Sequence, residues 1–180
     1  MAKSVRKETE KMENRLKKIE DVRLSENAYD ILKEAIITLK FAPGERMNLA
    51  RITGELGIST TPVREAMNRL VQEGFVVNIP FKGPIVTDVD EKMVAELAEL
   101  RELLEVAAIR KTAAHITPGD VKAGEELLEK LEEAFRENDV RSYVDYSMQF
   151  HNMFLERCGN DMMASVIRGF NDHVKRTAFL

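Results

Sequence analysis

The chain reads as mainly α: an N-terminal winged helix-turn-helix with a small β-hairpin wing, then an all-α antiparallel helical bundle. Three observations predict this. Two short helical patterns are joined by a tight glycine turn at Gly57-Ile58. Two β-prone runs with a Pro/Gly turn between them follow at once. From Asp88 onward no strand signal remains, only long amphipathic stretches.

Residues 1–23, Met1 to Arg23, are mostly Lys, Glu and Arg. Met12, Leu16 and Ile19 fall at helical spacing, so the segment reads as a solvated helix or a flexible charged arm. An arm that tracks phosphates is one use for it, and a flexible extension without a specific role is the plainer one. The first domain helix is predicted from Ser25 to about Lys40. Ala28, Ile31, Leu32, Ala35, Ile36 and Leu39 form its core stripe, and Pro43-Gly44 stops it. Asn48 to Leu56 makes a second short helix.

Ser59 then reads as the N-cap of a third helix, with Pro62 in the first turn, where its missing N–H costs nothing. Val63, Met67 and Leu70 recur at i, i+4 and i+7 and make the buried stripe. The outer face carries Thr61, Arg64, Asn68 and Gln72, all able to hydrogen-bond bases or phosphates. Gly74 ends the helix. Helix-turn-helix geometry also occurs in proteins that never touch DNA, so the next segment decides. Phe75 to Ile79 reads as a strand, Pro80 to Pro84 as a turn and Ile85 to Thr87 as the returning strand. A hairpin directly after such a helix is a wing, with Lys82 and Gly83 at its tip against a phosphate or in a minor groove. The pair together indicates a DNA reader.

The boundary falls near Thr87 to Asp90, giving a DNA-binding domain over 24–88 and a helical domain over 89–180. Asp90 caps a helix from Glu91 to about Ala114. Thr117-Pro118 starts the next, ending near Asn138-Asp139. Val140 to Arg157 makes the third, Gly159-Asn160 breaks it, and the fourth begins near Met162.

Charge follows the same division. Net charge is −4, but residues 1–87 hold 15 Lys/Arg against 12 Asp/Glu, and residues 88–180 hold 12 against 19. The positive excess lies on the candidate DNA half and is small, so its placement on one face matters more than its total. The single cysteine, Cys158, permits no internal disulfide, and no run of eighteen apolar residues exists. The N-terminus is too charged for a signal peptide, so a cytoplasmic location is expected, with no membrane partner.

Several stretches resemble one family. Phe41-Ala42-Pro43-Gly44-Glu45-Arg46, the run Glu55 to Ala66, and Gln72-Glu73-Gly74-Phe75-Val76 look like GntR-family transcription regulators. Glu99 to Ala108, Phe150-His151-Asn152 and Gly159-Asn160 resemble the FadR-type (FCD) all-helical effector domain. The resemblance covers roughly residues 25 to 180. Two positions depart from it. The family usually carries arginine straight after the serine, where this chain has Thr60. A second arginine arrives one residue late, as Arg51, with Ala50 in the expected place. Arg64 stands where the pattern wants it. The DNA-contacting set that follows is Arg51, Ser59, Thr60, Thr61, Arg64, Lys82 and Gly83. For Arg64 the structural alternative is a surface pairing with Glu65 or Asn68.

In the helical part, Leu97, Arg101, Leu104 and Ala108 share a face, so Arg101 projects from apolar surroundings with Glu105 one turn on. An arginine there is costly unless paired. It either holds a ligand carboxylate or forms a structural ion pair with Glu105. The resemblance favours the ligand, because the family lines its effector pocket with this helix. His151 shares a stripe with Val144, Met148 and Leu155, so its imidazole points inward, and Arg101, Glu105 and His151 are the expected effector-binding residues.

Many members of the subfamily hold a divalent metal through one aspartate and three histidines, the aspartate four residues before the first histidine. Here that position is Ser147, a poor ligand, and Asp145 lies about 240° around the helix from His151. His173 is too close in sequence to be another family ligand, and His115 reads as a helix cap. His151 is therefore the one candidate metal ligand, in an incomplete set that Ser147 disfavours, and a hydrogen-bonded pocket residue is the plainer reading. The resemblance also implies one or two further helices past Phe179-Leu180.

No Gly-rich phosphate loop, nucleophile with a paired base, or convergent carboxylate pair is present, so no enzyme is expected. The expectation is a ligand-responsive repressor that binds a pseudo-palindromic double-stranded operator as a homodimer, with a small organic acid as effector. The alternative is a dimeric DNA-binding or protein-interaction module that no longer senses a ligand.

Overall fold

The computed structural model describes residues 22–180, so the charged extension falls, up to residue 21, outside the described residues. The chain divides between Asp88 and Val89 into two compact units.

The first described helix, α1, runs over 22–37. It stops before the expected Lys40 because Leu39 turns left-handed, at φ 58°, and the Phe41 N–H closes on the Ala35 carbonyl at 3.1 Å. Ala28, Tyr29, Leu32, Ile36 and Ile37 are buried, whereas Ile31 is half exposed. The true stripe is centred on Ser25, Ala28, Leu32 and Ile36, which leaves Ile31 on its flank.

Helix α2, Leu49–Leu56, is capped by Asn48, whose side chain accepts from the Ala50 and Arg51 N–H groups. Asn48 is thus the cap and not the first helical residue. Gly57 ends α2 in the left-handed region at φ 66°, its N–H bonded to the Thr53 carbonyl. Helix α3, Thr60–Gln72, buries Pro62, Val63, Ala66, Met67 and Leu70. Ser59 occupies the N-cap position, but its hydroxyl makes no capping bond.

Strands β1, Val76–Ile79, and β2, Gly83–Val86, pair antiparallel with Val76 opposite Val86 and Ile79 opposite Gly83. The turn is therefore shorter than the expected Pro80 to Pro84. Gly83 and Pro84 belong to β2, and the tip is Phe81-Lys82. An isolated bridge from Arg46 to Ile85 adds a third short segment to the sheet.

The second unit holds α4, Glu91–Thr112; α5, Pro118–Arg136; α6, Val140–Glu156; and α7, Asp161–Ala178. Each begins at a side-chain cap that satisfies otherwise orphaned N–H groups. Asp90 accepts from Met93, Asp139 from Ser142, Asn160 from Met163, and Thr117 with Asp120 forms a reciprocal capping box. Helix α6 packs against α4, α5 and α7, and α4 also packs on α7. Ala108, Leu155, Cys158, Ala164 and Ile167 form a buried cluster there. Helix α4 ends two residues before the expected Ala114; its C-cap is Ala113, whose N–H bonds the Ile109 carbonyl, and His115 lies beyond the cap with its N–H on the Thr112 carbonyl at 2.8 Å.

The result is a mainly helical protein, seven helices among the described residues, with one two-stranded sheet behind a helix-turn-helix. No described helix is long and apolar enough to cross a membrane.

Candidate nucleic-acid interface and effector site

Burial of one side of α3 fixes what the other side presents. With Pro62, Val63, Ala66, Met67 and Leu70 held in the core, Thr61, Arg64, Asn68 and Gln72 are exposed together, and Ser59 and Thr60 are exposed at the helix start. Arg64 forms no ion pair or hydrogen bond among the described residues, so the pairing with Glu65 or Asn68 is not made. Its guanidinium keeps five donors for a partner.

Arg69 lies on the same helix but has another role. Its guanidinium sits 3.8 Å above the Tyr29 ring. The Tyr29 hydroxyl donates to Glu73, and Lys33 reaches the same carboxylate at 2.9 Å. Burial pushes the Glu73 carboxyl up, but the hydrogen bonds from Tyr29 and Lys33 outweigh it and hold the group below its usual range. Burial and the Glu73 bond together raise the Tyr29 hydroxyl. This cluster ties the C-terminal end of α3 to α1. No local pattern could reveal it, because Tyr29 and Glu73 are 44 residues apart.

Arg51 is exposed on α2 and its Nε donates to Glu55 at 2.7 Å, an i,i+4 pair that raises the guanidinium's already high pKa. An incoming phosphate must therefore compete with Glu55. Lys82 is exposed at the tip of the wing, and Gly83 begins β2 beside it. Sequence reasoning missed Arg46, which is exposed on the bridge to β2; its guanidinium lies about 4.0 Å from where a Cβ on Gly83 would be. The only signal for it was a cation in the turn before α2.

In the helical unit the structure brings Arg101, Glu105 and His151 together. Arg101 Nε and Nη2 both lie 2.7 Å from Glu105 Oε1. The other oxygen, Oε2, is 3.1 Å from His151 Nδ1. Burial pushes the Glu105 carboxyl up; the hydrogen bond and charge of His151, then those of Arg101, more than reverse this and hold it below the usual carboxylate range. Both alternatives for Arg101 thus meet at one carboxylate that already bridges α4 and α6.

The described residues do not complete a divalent-metal site: Ser147 offers only a hydroxyl and Asp145 faces Lys175 at 3.4 Å, while His151, with Nδ1 on Glu105, has only Nε2 to offer. Among the described residues no three His, Cys, Asp or Glu side chains converge to hold an ion. A buried cation was also missed: Arg176 of α7 is fully buried. It lies half a turn from the Ile167 side, so apolar periodicity gave no sign of it.

Comparison with known proteins places these features. The model for bacterial regulatory proteins of the gntR family matches residues 24–86, and that for the FCD domain matches residues 96–180. An uncharacterized HTH-type transcriptional regulator in the TAR-I ttuE-ttuC' intergenic region of Agrobacterium vitis is 33% identical over 129 residues, covering 69% of this chain and 74% of that protein. The HTH-type transcriptional regulator McbR of Escherichia coli K12 is 28% identical over 150 residues, 83% of this chain and 68% of McbR. The solved structure of E. coli McbR/YncC superposes with a TM-score of 0.70 at 26% identity, covering 87% of this chain and 74% of that one. The chain spans roughly two thirds of the length of the first curated relatives it matches, 61–68% of each.

Proposed function

This chain belongs to the GntR family of bacterial transcription regulators and carries an FCD domain, and from that premise we propose a ligand-responsive repressor that binds a pseudo-palindromic operator as a homodimer. Residues 24–88 bind DNA and residues 89–180 bind the effector and dimerise. The observation that carries the DNA reading is Arg64, exposed and without a partner among the described residues, on a helix whose opposite face is buried throughout. Thr61, Asn68 and Arg64 read base edges in a major groove, while Arg51, Ser59, Thr60, Lys82 and Gly83 set the position on the backbone.

The effector we propose is a small carboxylic acid held by Arg101, with Glu105 and His151 beside it. Because Glu105 already occupies the guanidinium, the ligand has to displace it, and its release from Arg101 and His151 alters the α4–α6 contact. Such a change is what shifts the population competent for DNA. A second reading rests on the same bridge: a regulator whose helical part no longer senses ligand, with Arg101 locked structurally.

Operator selection from random duplexes tests the DNA reading. Wild type should enrich a palindromic motif that Arg64→Ala loses; salt-sensitive binding without enrichment counts against a specific reader. Saturable binding of a small carboxylic acid separates the sensing regulator from the locked one.

A further inference from the structure

Phe81 projects from the wing tip fully exposed, at 107% of its reference area, with φ 64°. The Lys82 N–H donates to the Ile79 carbonyl at 3.1 Å and closes a turn with Pro80 second and Phe81 third. Proline followed by a left-handed residue is the type II arrangement, which favours glycine or asparagine in the third place. A bulky aromatic held there is strained. Among the described residues the ring makes no aromatic or cation contact that would offset the strain.

Two cations belong to the wing. Lys82 follows Phe81 directly, and Arg46 reaches to the Gly83 position across the short bridge to β2. Both are exposed, and neither forms an ion pair among the described residues. An exposed ring on a wing that carries two unneutralised cations suits neither bulk water nor an apolar protein groove. A duplex minor groove meets both needs, with phosphates for the cations and a base step for the ring.

We propose that Phe81 is a wedge that enters the minor groove, partly unstacks one base step and kinks the duplex, while Arg46 and Lys82 hold the flanking phosphates. This rests on the DNA-binding reading above. It makes the wing a source of sequence preference through deformability, at base pairs that α3 never touches.

The test uses the duplex selected by the wild-type protein, with 2-aminopurine at successive steps across the site and a donor–acceptor pair at its ends. On wild-type binding, 2-aminopurine fluorescence should rise at one step flanking the α3 contacts, and the ends should approach. Phe81→Asn suits the turn and should fold at least as well. It should keep the α3 footprint, lose both signals and bind about tenfold more weakly, within the range found for aromatic–base stacking. Phe81→Leu should retain part of the bend. Arg46→Ala should lower the slope of log affinity against log salt by about 1. Unchanged bend and fluorescence in Phe81→Asn overturn the wedge, whether the ring then proves to contact a second copy or a lipid surface. Failure of wild type to bind any duplex at low salt overturns the regulator reading itself.

Discussion

Glu105 Oε1 sits 2.7 Å from both Nε and Nη2 of Arg101, one helical turn earlier on α4. The side chains are 15% and 20% exposed, so water screens the pair only in part. The same carboxylate reaches His151 on α6, which turns an i,i+4 pair into a crosslink between two helices.

That crosslink makes the helical unit sensitive to acid. Glu105 has a folded pKa below its ordinary value of 4.5. Its contribution to stability is therefore complete above that value and is lost as pH falls through the depressed folded pKa. Glu105→Gln should cost about 1.5–3 kcal/mol at neutral pH, the range for a hydrogen bond to a charged group. Thermal melts followed by circular dichroism should show the gap between wild type and variant closing below pH 4.5. A gap that stays constant with pH would mean the carboxylate gains nothing from its partners.

Arg101→Ala separates the two roles argued for that residue. If a small carboxylic acid binds there, the variant should lose the thermal shift and the change in operator affinity that the acid produces in wild type. Binding to the operator without acid should persist, because Arg101 lies on α4, outside the residues proposed to contact DNA. A normal response from the variant would sink the ligand role and leave the structural pair.

What the sequence made legible was local, and most of what it hid joins residues far apart in the chain. The α3 stripe of Val63, Met67 and Leu70 was legible because helical period and burial coincide there, and all three are buried. The Arg101–Glu105 pair was legible because i,i+4 neighbours must meet on a helix. The link from Glu105 to His151 joins residues far apart in sequence, and only the packing of α4 on α6 reveals it. Tyr29 with Glu73 is the same case. The wing turn was misplaced for another reason: two prolines and a glycine marked a turn, but only Pro80 lies in it, while Gly83 and Pro84 sit on β2.

Arg51 and Arg64 should respond differently to removal. Arg64→Ala should relax sequence preference, as expected for a side chain at base edges. Arg51→Ala should weaken all duplexes alike and reduce the salt slope by about 1. Glu55→Gln then provides a sharper check. It frees Arg51 from its exposed internal partner and should tighten binding about twofold, the scale of such pairs. If Glu55→Gln leaves affinity unchanged in wild type and in Arg51→Ala alike, Arg51 does not reach the backbone.

The turn between α2 and α3 sets the angle at which the outer face of α3 is offered, so its glycine can be tested without touching any contact residue. Gly57 has φ 66°, and a Cβ built there would meet nothing within 4 Å. Any cost of Gly57→Ala is therefore one of backbone conformation, about 1–2 kcal/mol. Gly57→Asn should cost distinctly less, because asparagine tolerates the left-handed region. Gly44 gives the contrast: at φ 75°, an added Cβ would also come within 3.3 Å of Asp88 Oδ1. Gly44→Ala should then lower the melting temperature at least as far as Gly57→Ala. Equal losses for Gly57→Ala and Gly57→Asn would point away from φ, toward a steric demand at a site where the geometry shows open space.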